Sequence, residues 1–181
     1  ETYFPRCFNV FNPEELTEFI DNFRTTAAIS LLRWLVEQHE EKGSFFLASD
    51  DGRVPLNCVQ FALSRCKDFI DCCFHNDIDV EGDIKIWEHD WDVFLTHHYL
   101  LTHENTKIQV QEDIYALIDA YVDQAKRVLD KIKLLWPQYF LDGTLNIWII
   151  KPGNKCRGRG IMLMNNIKQI IATVNRPTRK S

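Results

Sequence analysis

Apolar residues recur at helical spacing near the start of the chain, between clear end signals. Asn12 and Pro13 have the side chains preferred at a helix N-cap and at the first helical position, and Glu15 stands where a capping box places its carboxylate. Gly43 is a typical helix stop. The apolar positions between these signals are Leu16, Phe19, Ile20, Phe23, Ala27, Leu31, Trp34 and Leu35. This pattern predicts one long helix.

Three more stretches show a helical period farther along the chain. They run from near Pro55 to about Phe74, from about Trp87 to Leu101, and from Val110 to Trp136. The last carries the most continuous apolar stripe, and Pro137 ends it because proline cannot continue a helix. The tryptophans at positions 87, 91 and 136 lie on these stripes, so we expect them in the core.

Short segments separate these helices. Phe45–Ala48 is consistent with either a short strand or a buried loop, and Asp50–Gly52 has the composition of a turn. Asn76–Asp83 is acidic and contains a glycine, which indicates a loop.

The period changes after residue 140. Asp142–Gly143 is a turn signal, Thr144–Ile150 predicts a buried strand, and Gly160–Met164 predicts a second strand. Asn165 has the side chain of an N-cap for a final helix that ends near Val174.

The predicted fold class is therefore α+β. A mainly helical region at residues 1–140 is followed at 141–181 by the first strands of a nucleotide-binding domain. A chain of 181 residues with 45% hydrophobic residues can bury a real core in one domain or a large part of one. It opens with Glu1 rather than Met, so we expect an excised segment of something larger.

The composition also suggests a compartment. The sequence has neither an apolar run of membrane-spanning length nor a signal peptide. Its six cysteines show no CxxC pairing, and we expect them to be reduced thiols in the cytosol.

The net charge of −5 conceals a strong asymmetry. Eight of the 21 Lys and Arg residues lie from Lys151 onward, whereas all 26 Asp and Glu residues precede it. A basic terminal segment on an acidic chain indicates an anionic ligand, such as a nucleotide, a nucleic acid or an acidic polypeptide. A solvated basic tail explains residues 176–181, but it fits the loop between the two predicted strands poorly.

That loop, Lys151–Ile161, is the strongest candidate for chemistry. It has four cations and three glycines, and glycines let backbone N–H groups approach phosphate oxygens closely. The loop has neither the Gly-Lys-Ser/Thr ending of a P-loop nor the GxGxxG of a dinucleotide fold. By composition alone a solvated hairpin loop is an equal alternative. A lysine that leaves a buried strand beside Pro152 favours a polyphosphate site.

Other candidate sites are weaker. Cys66, Cys72, Cys73 and His75 could be drawn as a zinc cluster, but helical spacing places two of the cysteines on the core stripe. The adjacent His97 and His98 point to different sides of a helix. The alternating carboxylates of residues 77–83 resemble calcium ligands, but we interpret this segment as a solvated acidic loop. The basic C-terminal run has no interleaved aromatic residues for stacking on nucleic acid bases.

The loop and its strand resemble a known family. The run NIWIIKPGNKCRGRGI at residues 146–161 resembles the nucleotide loop of the tubulin tyrosine ligase-like family. Within that family it resembles most the tubulin glycine ligases (monoglycylases), whose core is Trp-Ile-Ile-Lys-Pro-x-x-Lys-Ser-Arg-Gly-Arg. Residues 4–7 and 18–28 resemble the same branch, whereas residues 35–135 match only in helical character and acidity.

The resemblance implies an ATP-grasp fold and an ATP-dependent ligase. Such an enzyme attaches glycine to glutamate side chains in the acidic C-terminal tails of tubulin. The acceptor carboxylate becomes an acyl phosphate, and the amine of glycine displaces phosphate. The implied cofactors are ATP and Mg²⁺, and the implied partners are tubulin or microtubules and glycine, with no nucleic acid and no membrane. The implied location is the cytoplasm and cytoskeleton, including the axoneme of a cilium or flagellum.

The resemblance also assigns roles to single residues. Lys151 corresponds to the family's lysine on the ATP phosphates, and the other ATP-binding positions are Arg157, Gly158, Arg159 and Gly160. Arg157 is also expected to contact the acceptor peptide. Such cations would stabilise the charge of the transferring phosphoryl group electrostatically.

Two features depart from the family pattern. Cys156 stands where the branch usually has Ser, which removes a hydroxyl from the loop. The adenine-binding strand, a second phosphate lysine and the Mg²⁺ ligands are expected after residue 181, so this segment alone should be inactive, with no metal or catalytic residue assigned within it. The alternatives are a glutamate or tyrosine ligase of the same family, or a non-catalytic module that binds acidic tubulin tails.

Overall fold

A computed structural model describes residues 5–74, 86–152 and 159–174. Within these residues the chain is helix-rich and has two small two-stranded sheets. The helices are α1 (Pro13–Lys42), α2 (Ser44–Leu47), α3 (Asn57–Phe74), α4 (Glu88–Thr102), α5 (Ile114–Leu135) and α6 (Ile167–Val174). The strands are β1 (Ala48–Ser49), β2 (Ile108–Gln109), β3 (Trp148–Ile150) and β4 (Met162–Met164).

The first helix begins and ends where the sequence predicted. The Asn12 side chain accepts a hydrogen bond from the Glu14 N–H at 3.0 Å, and Gly43 closes the helix with φ +77°. Glu15 differs from the capping-box expectation, because its carboxylate accepts from the backbone N–H of Asn9 at 2.6 Å. The cap therefore also fastens the segment that precedes the helix.

Three long helices enclose the main core. The C-terminal half of α1 packs against α3 and α5, and α4 closes one side, so the helical periods predicted for α3, α4 and α5 are confirmed. The largest fully buried side chains in this core are Ile29, Leu31, Leu32, Leu35, Leu47, Leu101, Ile108, Ile114, Ile118 and Ile132.

The first small sheet was not predicted. β1 and β2 pair in parallel with Ala48 opposite Ile108, and β2 lies between the third and fourth predicted helices, where no element was predicted. The expectation of a strand or buried loop at residues 45–48 was wrong for most of its length, because Ser44–Leu47 forms a helical turn and Phe45 is 78% exposed. The predicted turn at residues 50–52 is present, with the Gly52 N–H bonded to the Ser49 carbonyl at 2.9 Å.

A second apolar cluster joins the N-terminal half of α1 to the later elements. Phe19 and Phe23 of α1 pack there with Ile167 and Ile170 of α6, and we call these four residues the hairpin cluster. The final helix is confirmed, but its capping side chain is Asn166, one residue later than predicted, which accepts from the Gln169 N–H at 3.1 Å.

The predicted strands exist but are shorter. Thr144–Ile150 was expected to be one buried strand, whereas only Trp148–Ile150 is a strand and Ile149 is 60% exposed. One face of β3 lies on the hairpin cluster and the other faces outward, so alternate residues are exposed. The second predicted strand, Gly160–Met164, is confirmed for its last three residues.

The tryptophans behave differently from one another. Trp136 is buried and Trp91 packs against the main core, as predicted. Trp87 is 66% exposed, contrary to expectation, because it precedes α4 as its N-cap and does not lie on the helix's inner face. None of the helices in the described ranges is long and apolar enough to cross a membrane. The predicted acidic loop at residues 76–83 lies outside the described residues.

Candidate functional site

The two predicted strands around the basic loop form an antiparallel hairpin. Trp148 pairs with Met164, Ile149 with Leu163, and Ile150 with Met162. Residues 151–161 therefore connect two strands that lie side by side, as the sequence suggested. β-branched and large apolar side chains on these strands fit a pleated surface with one buried face.

Lys151 is the first residue after β3. Its side chain is exposed, whereas the preceding Ile150 packs against the hairpin cluster and Pro152 is half-buried. Lys151 forms no ion pair with any residue in the described ranges. The strand thus fixes the backbone of Lys151 and leaves its ammonium group available to an external anion.

The far end of the loop has similar properties. Arg159 and Gly160 are exposed, and Gly160 has φ +78°, a left-handed conformation that favours glycine. The remaining site residues predicted from the sequence, Arg157 and Gly158, lie outside the described residues, as does Cys156. The structure thus brings Lys151 and Arg159 to the two ends of one hairpin loop.

These loop ends have the chemistry that a polyphosphate requires. Lys151 and Arg159 are exposed cations, and all carboxylates of the sequence precede residue 151. Exposed cations next to a left-handed glycine can meet phosphate oxygens without first breaking an ion pair. The residues at this hairpin therefore fit a nucleotide phosphate, although an acidic peptide would satisfy the same charges.

An aromatic cluster supports the hairpin from below. The Trp148 ring lies 5.1 Å from Phe19, 6.1 Å from Phe8 and 6.2 Å from Phe23, measured between centroids. Edge-to-face and stacked arrangements of this kind add to the burial of the rings themselves. The strand that presents Lys151 is thereby packed onto α1 and onto the segment before α1.

Asn146 shapes the entry into β3. It is buried, has φ +48°, and donates a hydrogen bond from Nδ2 to the Phe23 carbonyl at 3.2 Å. Its Oδ1 accepts from the Trp148 indole N–H at 2.7 Å. One amide side chain therefore holds both α1 and the first residue of the strand.

Arg6 lies at the base of the same region. Its guanidinium carbon is 4.6 Å from the centroid of the Trp136 ring and 5.2 Å from that of Trp148. Both oxygens of the Asp142 carboxylate accept from its Nη2 at 2.8 Å. Burial lowers the pKa of Arg6, and the nearby Asp142 opposes that shift.

Sequence reasoning missed the role of these supporting residues. Arg6 is part of a short stretch that resembles the family, but the sequence around its partner Asp142 predicts only a turn. One signal was available: a buried tryptophan usually needs an acceptor for its N–H, and Trp136 donates to Asp142 at 2.8 Å. Arg6 and Asp142, by contrast, are 136 residues apart, so no local sequence pattern could pair them.

The other candidate sites have simple structural explanations. Cys66 is fully buried in the main core, where burial raises the pKa of its thiol. His98 is buried and His97 half-buried, so the pair points to different sides, as predicted. No group of three or more potential metal ligands occurs in the ranges that the structure covers. His75 and the acidic residues 77–83 lie outside those ranges.

Comparison with known proteins gives a family match. Residues 84–180 match the model of the tubulin-tyrosine ligase family. The chain is 49% identical to tubulin glycylase 3A of Drosophila melanogaster over 175 residues, which are 97% of this chain and 17% of that protein.

Two vertebrate relatives show the same pattern. Identity is 34% with tubulin monoglycylase TTLL3 of Danio rerio, over 97% of this chain and 24% of the relative. It is 30% with protein monoglycylase TTLL8 of Homo sapiens, over 94% of this chain and 22% of the relative. The chain thus spans between about a sixth and a quarter of the length of these relatives.

Proposed function

Because the chain belongs to the tubulin-tyrosine ligase family, we propose that it is part of an ATP-dependent ligase that attaches glycine to glutamate side chains of tubulin tails. The names of its relatives support glycine as the donor over glutamate or tyrosine, since all three relatives described above are glycylases or monoglycylases.

The observation that carries the proposal is the position of Lys151. β3 presents this lysine, without an ion-pair partner in the described ranges, at the start of a loop whose other end holds Arg159 and the left-handed Gly160. We assign Lys151, Arg159 and Gly160 to the ATP phosphates, together with Arg157 and Gly158. Arg157 would also contact the acceptor peptide.

These residues would act through charge and position. The ammonium of Lys151 and the guanidinium of Arg159 would orient the phosphate chain and offset its negative charge. When bound, ATP would supply the γ-phosphoryl group: an oxygen of the acceptor carboxylate would take it up as ADP leaves, which gives an acyl phosphate. The amine of glycine would then attack the acyl carbon, inorganic phosphate would leave, and the nitrogen would lose a proton to solvent as the isopeptide bond forms. We assign no Mg²⁺ ligand and no proton-transfer group to the described residues.

The proposal extends to organisation and location. Residues 1–140 would form a helical N-terminal region, and residues 141–181 the beginning of an ATP-grasp domain. A tubulin-modifying enzyme would work on the cytoskeleton, with the microtubules of cilia or flagella as its substrate.

The test uses the full-length protein with Mg²⁺, tubulin and isotopically labelled glycine. We expect ATP-dependent incorporation of glycine into tubulin. Lys151→Ala should weaken ATP binding by about tenfold or more, because a charged hydrogen bond to phosphate is lost. Lys126→Ala is the matched control, since Lys126 is a cation on α5 paired with Glu40 at 2.8 Å.

The outcomes separate the alternatives. If labelled glutamate or tyrosine is transferred instead of glycine, the donor assignment is wrong. If tubulin binds and no amino acid is transferred with ATP, the chain belongs to a non-catalytic tail-binding protein. Unchanged ATP affinity in Lys151→Ala would remove the role given to that lysine.

A further inference from the structure

A groove between α3 and α5 carries an unusual charge. Its volume is about 540 Å³, and its lining residues belong to α3 and α5 and include no described residue of the β3–β4 hairpin. Its walls include three cations, one carboxylate and two apolar residues: Lys67, Arg127, Lys131, Asp71, Ile70 and Val128. We call it the α3–α5 groove. It is a local basic site within an acidic part of the chain, since all 26 Asp and Glu residues precede Lys151.

The three cations of this groove are not neutralised internally. Lys67, Arg127 and Lys131 are exposed and form no ion pair with the residues that the structure describes. The neighbouring cations of α5 behave differently: Lys126 pairs with Glu40 at 2.8 Å and Lys133 with Asp130 at 2.9 Å. Lys126 and Lys133 are thus neutralised by ion pairs, whereas the three groove cations are not, although the carboxylate of Asp71 lies in the same groove.

The arrangement along α5 adds a small energetic cost. Arg127 and Lys131 are four residues apart, so they lie on the same face of α5 and their like charges repel each other. On the opposite wall, Lys67 Nζ reaches only the neutral Gln124 Oε1, at 3.5 Å. An anion in the groove would relieve this repulsion.

The floor of the groove is apolar. Ile70 and Val128 are buried, yet both contribute to the groove surface. Cations around an apolar floor fit a ligand that combines several negative charges with an apolar side chain. None of the described residues that line the groove is aromatic, so they offer no platform for stacking nucleic acid bases.

We propose that the α3–α5 groove binds an acidic peptide segment. Its carboxylates would contact Lys67, Arg127 and Lys131, and one apolar side chain would rest on Ile70 and Val128. For its natural ligand this proposal rests on the proposed function, because the acidic tail that accepts glycine has this chemistry. A second contact of this kind, separate from the hairpin, would hold a flexible acceptor chain and raise its effective concentration at the reaction site.

The test measures binding of a fluorescent, glutamate-rich peptide of about twelve residues to the full-length protein, without nucleotide and at low salt. Arg127→Gln/Lys131→Gln should weaken binding by about tenfold, since two charge-assisted contacts are removed. The matched control is Lys126→Gln/Lys133→Gln, which removes the same charge from the same helix at positions outside the groove. This control should change affinity less than twofold.

Each alternative gives its own result. An equal loss of peptide affinity in both double variants would mean that binding depends only on net charge, and the groove proposal would be wrong. A glutamine-for-glutamate peptide that binds equally well would exclude recognition of carboxylates. If a single-stranded oligonucleotide binds more tightly than the peptide, and the groove variant abolishes that binding, the ligand of the groove is nucleic acid and the peptide proposal is wrong. Concentration-dependent self-association that the groove variant abolishes would make a second copy the occupant.

The test is independent of the ATP site. Peptide binding should survive Lys151→Ala, and ATP binding should survive Arg127→Gln/Lys131→Gln. Failure of the groove proposal therefore leaves the assignment of Lys151 standing, and failure of the ligase proposal leaves the peptide measurement interpretable.

Discussion

The guanidinium of Arg6 and the carboxylate of Asp142 form a half-buried ion pair at 2.8 Å, although the two residues are 136 positions apart. The rings of Trp136 and Trp148 flank the guanidinium. Arg6 also donates to the Asn22 side chain at 3.0 Å on α1. This pair therefore joins the segment before α1, the end of α5 and the approach to β3 into one packed unit.

We predict that Asp142→Asn destabilises the protein by about 2–4 kcal/mol, because it leaves the charge of Arg6 without its counter-ion in a partly buried position. Arg6→Leu combined with Asp142→Asn should cost less than the sum of the two single changes. The control pair is Arg53 and Glu104, which is exposed at 3.2 Å and should be worth less than about 1 kcal/mol. Urea unfolding measures all of these, and additive effects at residues 6 and 142 would contradict the prediction.

The helical part of this fold could be predicted from sequence because its signals are local. A 3.6-residue period and the caps at Asn12 and Gly43 fixed α1, and the stripe after residue 110 fixed α5. Strands of two or three residues carry no usable period. β2, for example, forms by pairing Ile108 with Ala48, which lies sixty residues earlier, and the local sequence of neither segment predicts this pairing.

The candidate site divides in the same way. The residues offered to a ligand, Lys151, Arg159 and Gly160, could be picked out because charge and glycine content are visible in one short run. The residues that hold the hairpin in place could not, since Arg6 and Asn146 act through partners far away in the chain. The structure shows the contacts of Arg6 and Asn146 that hold the hairpin, and the assignment of Lys151, Arg159 and Gly160 to a ligand is a prediction.

Asn146 provides a direct test of that support. Asn146→Ala should cost about 2–3 kcal/mol, because it leaves the N–H of the half-buried Trp148 without its acceptor and places alanine at φ +48°. Asn146→Gly loses the same hydrogen bonds but tolerates the left-handed backbone, so it should be about 1 kcal/mol more stable than the alanine variant. Thermal unfolding gives the comparison. Equal stability of the two variants would show that the backbone conformation carries no cost.

If the hairpin presents Lys151 as proposed, both Asn146 variants should also bind ATP more weakly while they keep the secondary structure content of the wild-type protein. Circular dichroism controls for global unfolding. ATP affinity that stays constant in a folded Asn146→Gly variant would show that the entry into β3 does not position the lysine.

His98 sets a pH dependence of stability. It is buried in α4, where its Nε2 lies 2.9 Å from Ser30 Oγ and its ring also hydrogen-bonds to the backbone of Thr144. Burial lowers the pKa of His98 to about 3, with a smaller contribution in the same direction from His103. The imidazole is therefore neutral in the folded protein throughout the physiological range.

The sign of the effect follows from the unfolded chain, in which a histidine has a pKa of about 6.5. Below that pH the histidine is protonated in the unfolded state but stays neutral in the folded state. The contribution of His98 to the free energy of unfolding is therefore fully present above about pH 6.5 and is lost progressively towards pH 3. Between pH 7 and pH 5 we expect a loss of about 2 kcal/mol from this residue. His98→Gln should remove that part of the pH slope, whatever it does to stability at pH 7.

The measurement is the free energy of unfolding in urea at pH 7, 6 and 5, compared between the wild-type protein and His98→Gln. His89→Gln is the control, since His89 is an exposed histidine on the same helix and its replacement should leave the wild-type slope in place. A wild-type slope retained in His98→Gln would show that another group is responsible. A slope lost in both variants would point to the total number of histidines rather than to the buried one.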